Sequence, residues 1–280
     1  MSTDFQRARS ALGARLRELR IEAGHDGKRI AECLGWQRSK VSRLENGKQT
    51  PSPVDLRAWA AAVGRSDLAD DLVHQVASLE TRYRSWRRQL AGGHRARQEL
   101  GIQVTNGTDF TRSLEVARVP GLLQTADYAR NVFTVNAEFR GTIKDTEEAV
   151  RARLRRQQAL YEPGKRFHFL VWEGALHVLT CTKPVMAAQL DRLTSLIGLD
   201  TMSLGILPLG AELRRAPTHG FCIYDRRLVI VETTGTELWL DDEESIRTYE
   251  RAWEWFADCA VYGSQAHRLI IRARGCLQGS

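Results

Sequence analysis

Six hydrogen-bonding side chains crowd the stretch from Gln37 to Arg43: Gln37, Arg38, Ser39, Lys40, Ser42 and Arg43, interrupted only by Val41. On a helix this row leaves Val41 and Leu44 for a core and turns the others outward. A guanidinium can hold guanine through two parallel hydrogen bonds, and short hydroxyls meet either a base edge or a phosphate. Arg38, Ser39 and Arg43 are therefore read as facing base edges in the major groove of double-stranded DNA. Gln37, Lys40 and Ser42, with Lys28 and Lys48 beside them, are placed for phosphates, which fix register without carrying sequence information.

The elements that must position these groups follow from the flanking pattern. Leu12, Leu16, Leu19 and Ala23 fall on one face of a helix that Gly24 stops. Asp26 is suited to cap a second helix carrying Ile30, Ala31 and Leu34 inward and ending at Gly35. Two helices that cross steeply need a small residue at the crossing, here Ala31, and a permissive turn residue, here Gly35. Val41 and Leu44 then close the core from the third helix. This order predicts a helix-turn-helix over residues 27–46, within an all-α domain of residues 1–65.

The charge distribution agrees. Residues 1–100 carry 19 Lys and Arg against 12 Asp and Glu, and residues 101–280 carry 22 of each. The whole formal excess of +7 thus lies in the first third of the chain, as a polyanion partner would require.

Residues 8–64 resemble the XRE family of helix-turn-helix regulators, relatives of the lambda-type phage repressors. The likeness is densest over Gly35-Trp36-Gln37-Arg38-Ser39-Lys40-Val41-Ser42-Arg43-Leu44-Glu45-Asn46-Gly47-Lys48-Gln49-Thr50-Pro51. The resemblance implies a brace between Arg20 and Glu45, a turn at Asn46-Gly47, and a fourth helix from Pro53 through Trp59 to Val63. Gly27 departs from the family, which often has Gln or Ser there as a phosphate contact; Lys28 takes that role in this reading.

Between Leu68 and Leu90 the apolar positions Leu72, Val76, Leu79, Tyr83, Trp86 and Leu90 recur at intervals of 4, 3, 4, 3 and 4. This is the period of a helix that could pair two subunits. The alternatives are docking of two domains or packing on its own domain. Residues 66–109 are accordingly expected to form a connecting helix and linker, with a break at Ala91-Gly92-Gly93. A homodimer is expected in any case, since one helix-turn-helix reads too few base pairs to find a genomic site.

Residues 110–280 read as an α+β domain. Strands are expected at 111–118, 166–172, 202–207, 219–225, 228–232 and 236–240, and helices at 124–139, 145–161, 183–198, 242–262 and 264–274. Asp225-Arg226-Arg227 suggests a tight hairpin. No nucleophile elbow, zinc-protease helix, complete P-loop or dinucleotide fingerprint is present. The chain is expected not to be an enzyme, and no cofactor or metal is expected. His168 reads as a core residue, with a ligand as the alternative, and Glu173 as either a cap or an acid. The basic run Arg151, Arg153, Arg155 and Arg156 reads as a solvated face, with a partner or anionic ligand as the alternative. The five cysteines are odd in number and form no C-x-x-C pair, which suits reduced thiols. With no apolar run long enough to span a membrane and no signal peptide, a cytoplasmic location is expected.

A second resemblance covers much of the remainder. Tyr83-Arg-Ser-Trp86, Val119-Pro-Gly-Leu-Leu-Gln-Thr125 with Tyr128, Arg155-Arg-Gln-Gln158 with Leu160-Tyr161, and Gly210-Ala-Glu-Leu213 with His219-Gly-Phe221 look like an actinobacterial group of XRE-type regulators. These are the WhiJ-like and antitoxin-like regulators with a large C-terminal domain. The resemblance implies a repressor whose DNA binding is modulated through that domain by a small co-encoded partner protein or a small ligand. It also allows an antitoxin-like protein that chiefly sequesters such a partner. It assigns no ligand-site residues.

Overall fold

The computed structural model describes residues 3–277, with side chains described from residue 9 onward except those of residues 77–85, 87 and 88. The chain divides into two compact units, residues 1–83 and 84–280.

The first unit is all helical: α1 (Thr3–Glu22), α2 (Gly27–Leu34), α3 (Arg38–Glu45), α4 (Pro53–Ala62) and α5 (Ala69–Arg82). Its core gathers Leu12, Leu16, Leu19, Ile30, Ala31, Val41, Leu44, Leu56 and Trp59, all buried. The Trp59 indole satisfies its one donor on the Leu16 carbonyl at 3.2 Å. Ser52 and Asp55 form a reciprocal capping box that starts α4 directly at Pro53.

The second unit is α+β. A mixed sheet runs in the order β1-β7-β6-β5-β2-β3-β4. Its strands are β1 (Tyr83–Ser85), β2 (Phe110–Glu115), β3 (Arg166–Trp172), β4 (Met202–Leu207), β5 (Phe221–Tyr224), β6 (Leu228–Glu232) and β7 (Thr236–Leu240). β2, β3 and β4 are parallel neighbours, while β5, β6 and β7 form an antiparallel meander joined to β2. Asp225, at φ 52°, makes the β5–β6 hairpin. The helices are α6 (Trp86–Gln89), α7 (Gly93–Asn106), α8 (Ala126–Arg140), α9 (Thr146–Gln157), α10 (Lys183–Leu196), α11 (Glu243–Ala257) and α12 (Gly263–Cys276). One sheet face, with Phe167, Phe169 and Val171, packs under α8, α10 and α12 through Tyr128, Leu190 and Ile270. The opposite face, with Leu114, Ile223 and Val229, packs on Ile246, Trp253 and Phe256 of α11.

The continuous helix expected from Leu68 to Leu90 is not formed. α5 ends at Arg82, a strand and the single-turn α6 follow, and Gly93 at φ 85° starts the separate helix α7. The expected seam is likewise corrected. Leu72 and Val76 are buried in the helical core of the first unit, and Leu90 is buried too. Trp86 donates its indole N–H to the Thr233 carbonyl at 2.7 Å. The side chains of Leu79 and Tyr83 lie outside the described residues. The physical reason is that an apolar stripe records that a face is buried, not what buries it. Here the first part of the stripe is taken up inside its own unit.

Candidate nucleic-acid interface

The turn between α2 and α3 is built by three local devices. The Asp26 carboxylate caps α2, accepting from the amides of Lys28 at 2.8 Å and Arg29 at 2.7 Å. Those amides, Arg29 first, hold its pKa below the ordinary carboxylate value. Gly35 closes α2 in the left-handed region at φ 63°, where a side chain would be strained. The Trp36 amide then returns to the Ala31 carbonyl at 2.8 Å, fixing where α3 begins.

Within α3 the division of faces is sharp. Val41 and Leu44 are buried, while Arg38, Ser39, Ser42 and Arg43 are exposed, as are Gln37, Lys48 and Lys28 around them. Ile30 and Ala31 are buried beneath, Leu34 is half-buried, and Gly35 stands at the surface of the turn. Gln49 accepts from Arg43 Nε at 3.0 Å and restrains that guanidinium. Asn46 donates to the Ser42 carbonyl at 2.8 Å, so Ser42 lies beside the C-terminal end of the helix.

Two ion pairs hold α3 from below. Arg20 Nε and Nη2 grip both oxygens of Glu45 at 2.5 and 3.0 Å, and Nη1 donates to the His25 carbonyl at 2.8 Å. The forked pair keeps the Arg20 charge more firmly than usual, chiefly through the Glu45 hydrogen bond. Lys40 is placed differently from its reading as a free phosphate contact. Its ammonium is 2.6 Å from Asp55 and sits 3.8 Å over the Trp36 ring, tying α3 to α4. Burial alone would raise the pKa of Asp55, but Lys40 and Ser52 outweigh it and hold the carboxylate ionised.

Two glycines shape this surface: Gly13, which the sequence reading does not single out, and Gly47, expected there only as a turn. A Cβ on Gly13 of α1 would lie 2.6 Å from the carbonyl oxygens of Leu44 and Glu45, so only glycine lets α1 approach the end of α3 this closely. Gly47, at φ 60°, leaves the same helix where a Cβ would meet the Ser10 backbone at 2.8 Å. A glycine inside an amphipathic helix and another after it are the only sequence signals for that approach.

In the second unit the basic run of α9 splits. Arg151 and Arg155 face outward to Glu148 and Glu99, whereas Arg153 and Arg156 turn inward to Gln98, Gln124, Thr105 and Tyr224. The run is therefore not simply a solvated face. His168 is half-buried with its Nε2 2.9 Å from the Tyr262 hydroxyl. The Glu173 carboxylate accepts from the Leu209 amide and pairs with Arg272. No helix among the described residues is long and apolar enough to cross a membrane.

Comparison with known proteins adds two family matches. A model described as a helix-turn-helix domain matches residues 11–72, and one described as "Domain of unknown function (DUF5753)" matches residues 109–272. No curated protein matches the chain. Among solved structures, NucT from Helicobacter pylori is similar at 10% identity and TM-score 0.35, over 61% of this chain and 93% of that one. TrmBL2, an archaeal chromatin protein whose structure is described as showing a novel mode of DNA binding, is similar at 13% identity and TM-score 0.35. That match spans 74% of this chain and 65% of the other. Likenesses of this size carry no argument here.

Proposed function

The chain belongs to the family described as a domain of unknown function (DUF5753), with a helix-turn-helix domain ahead of it, and we propose that it is a sequence-specific DNA-binding transcriptional regulator. The observation that carries this reading is the exposed row Arg38, Ser39 and Arg43 on a helix anchored by buried Val41 and Leu44 and braced by Arg20–Glu45. In this reading the protein is an XRE-type repressor of the WhiJ-like group, acts in the cytoplasm as a homodimer on a near-palindromic operator, and is not an enzyme. Its C-terminal unit receives a small ligand or co-encoded protein, which shifts DNA affinity by binding the competent and incompetent arrangements unequally.

The test is operator selection from random DNA with the full chain, followed by affinity measurement at fixed salt. Arg38→Ala with Arg43→Ala should weaken operator binding by about tenfold or more, since each good base contact contributes ~1–3 kcal/mol. Non-specific binding should fall far less. Unchanged operator affinity would overturn the assignment of the recognition helix.

A second reading has the C-terminal unit sequester a small co-encoded protein, with DNA binding serving autoregulation. It is favoured by Val135, Phe139 and Ile143, apolar side chains standing exposed along and just beyond α8. A stable complex with the product of the adjacent gene, abolished by Phe139→Asp, would support it; failure of the two proteins to associate would exclude it.

A further inference from the structure

Helices α7, α8 and α9 lie over a part of the sheet whose inner face sets the polar Thr111, Ser113, Glu115 and Glu232 beside an apolar cluster of Tyr224, Ile230 and Trp239 under α7, and a cavity of about 840 Å³ remains there. All its lining residues belong to the second unit. The floor is set by strand register: Thr111 pairs with Tyr224 and Ser113 with Cys222, with Glu115 and Glu232 beyond them. In β3 the same face carries Phe167, Phe169 and Val171 packed under α8, α10 and α12, and of these three Phe169 reaches the cavity. Ion pairs and hydroxyls lose their hydration when buried and contribute no more to stability than apolar residues of similar volume. Packing alone therefore gives no reason for Thr111, Ser113, Glu115 and Glu232 to stand on this face.

Charge is unevenly compensated around the cavity. Of the five arginines that line it, Arg97 is paired with the fully buried Glu237, its Nε 2.8 Å away, and Arg118 with Glu232. Arg140 donates to the Thr234 carbonyl. Among the described residues, Arg153 has only the amides of Gln98 at 3.2 Å and Gln124 at 2.5 Å, with its guanidinium 4.2 Å from the Phe133 ring centre. Among the same residues, Arg156 has only the hydroxyls of Thr105 at 2.8 Å and Tyr224 at 3.3 Å. The neutral partners orient these two forks with no carboxylate hydrogen-bonded to either among the described residues, while Glu115 and Glu232, both paired with Arg118, act on Arg153 only through space. Nearby, His94 is buried with Nε2 lacking a hydrogen-bond partner among the described residues. Burial, with Arg118 and Arg156 close by, draws the pKa of Arg153 down to about 9, which an anion in the cavity would reverse.

We propose that this cavity is a binding site for a small organic oxyanion, a carboxylate or phosphate ester with an apolar body, held by Arg153 and Arg156. Two planar guanidinium forks match the oxygens of such a head group. Leu122, Val132, Phe133, Phe169 and Ile230 supply apolar wall for the rest of the molecule. The volume lies in the range of about 300–1,000 Å³ usual for small-molecule sites. The proposal rests on the reading that the C-terminal unit receives a ligand, and it identifies the receiving site and the chemistry recognised.

The test is calorimetric titration of the full chain, without DNA, with benzoate, phenyl phosphate, inorganic phosphate and neutral benzyl alcohol at constant ionic strength. Benzoate or phenyl phosphate should bind at least tenfold more tightly than either inorganic phosphate or benzyl alcohol. The tighter of the two identifies the head group as carboxylate or phosphate. Arg153→Gln and Arg156→Gln should each weaken that binding by tenfold or more, while Arg151→Gln on the outer face should not. Should the inward variants fail to fold, arginine side-chain NMR of the unmodified protein replaces them, with the titration expected to shift the Arg153 and Arg156 Nε–H signals. Binding of the neutral alcohol as tight as the anions, equal binding by the inward variants, unmoved arginine signals, or no binding by any anion would overturn the site. Operator affinity with and without the bound probe tests only the regulatory reading, so the two can fail separately.

Discussion

Glu115 ends β2 at the edge of the cavity, and burial pushes its pKa up to about 7 despite Arg118 close by. The charged and titratable groups around it are Arg118, Glu232, Arg153 and Cys222. Its folded pKa lies above the ordinary carboxylate value. Its stabilising contribution is therefore complete below about pH 4 and is lost as the pH rises through about 7. Protonation also removes a negative charge beside the inward arginines. The affinity for phenyl phosphate or benzoate, corrected for the probe's own ionisation, should therefore rise as the pH falls from 8 to 6. Glu115→Gln should flatten that dependence, as calorimetry across this range would show. At this scale the sequence is partly legible. The run Arg151, Arg153, Arg155 and Arg156 is visible, but four identical side chains on one helix do not say which pair turns inward. Neighbours far away in the chain, Gln98, Gln124 and Tyr224, make that choice.

At the scale of elements, α3 depends on α1 as much as on its own residues. Gly13→Ala would place a methyl 2.6 Å from two backbone carbonyl oxygens at the end of α3, and neither side can yield without moving a helix. The expected cost is about 1–3 kcal/mol of stability in the first unit. Hydrogen exchange of α3 amides should reveal it, accompanied by weaker operator binding. The three helices of the motif are legible because Ile30, Ala31, Val41 and Leu44 follow the helical period with a glycine at the turn. α7 is not legible for the converse reason. Its buried face carries His94, Gln98, Gly101 and Thr105, so the helical period is present but written in polar and small residues. A search for apolar periodicity passes over such a helix.

At the scale of the whole molecule, the stripe from Leu72 to Leu90 serves two folded units and not one continuous helix. Leu72→Ala should therefore destabilise the first unit by about 2–4 kcal/mol, as expected for a buried leucine. It should leave the oligomeric state of the folded protein unchanged in sedimentation, whereas a seam residue would shift association. The amino-acid sequence by itself determined the helical N-terminal unit, the inward and outward faces of α3, and the alternation of strands and helices after residue 110. These depend on local period, caps and turns, which involve residues near one another in the chain. The tertiary structure alone decided where the stripe is buried, how closely α1 approaches α3, and that polar residues of the inner sheet face line a cavity. Those properties depend on which distant residues become neighbours, and a one-dimensional period carries no record of that.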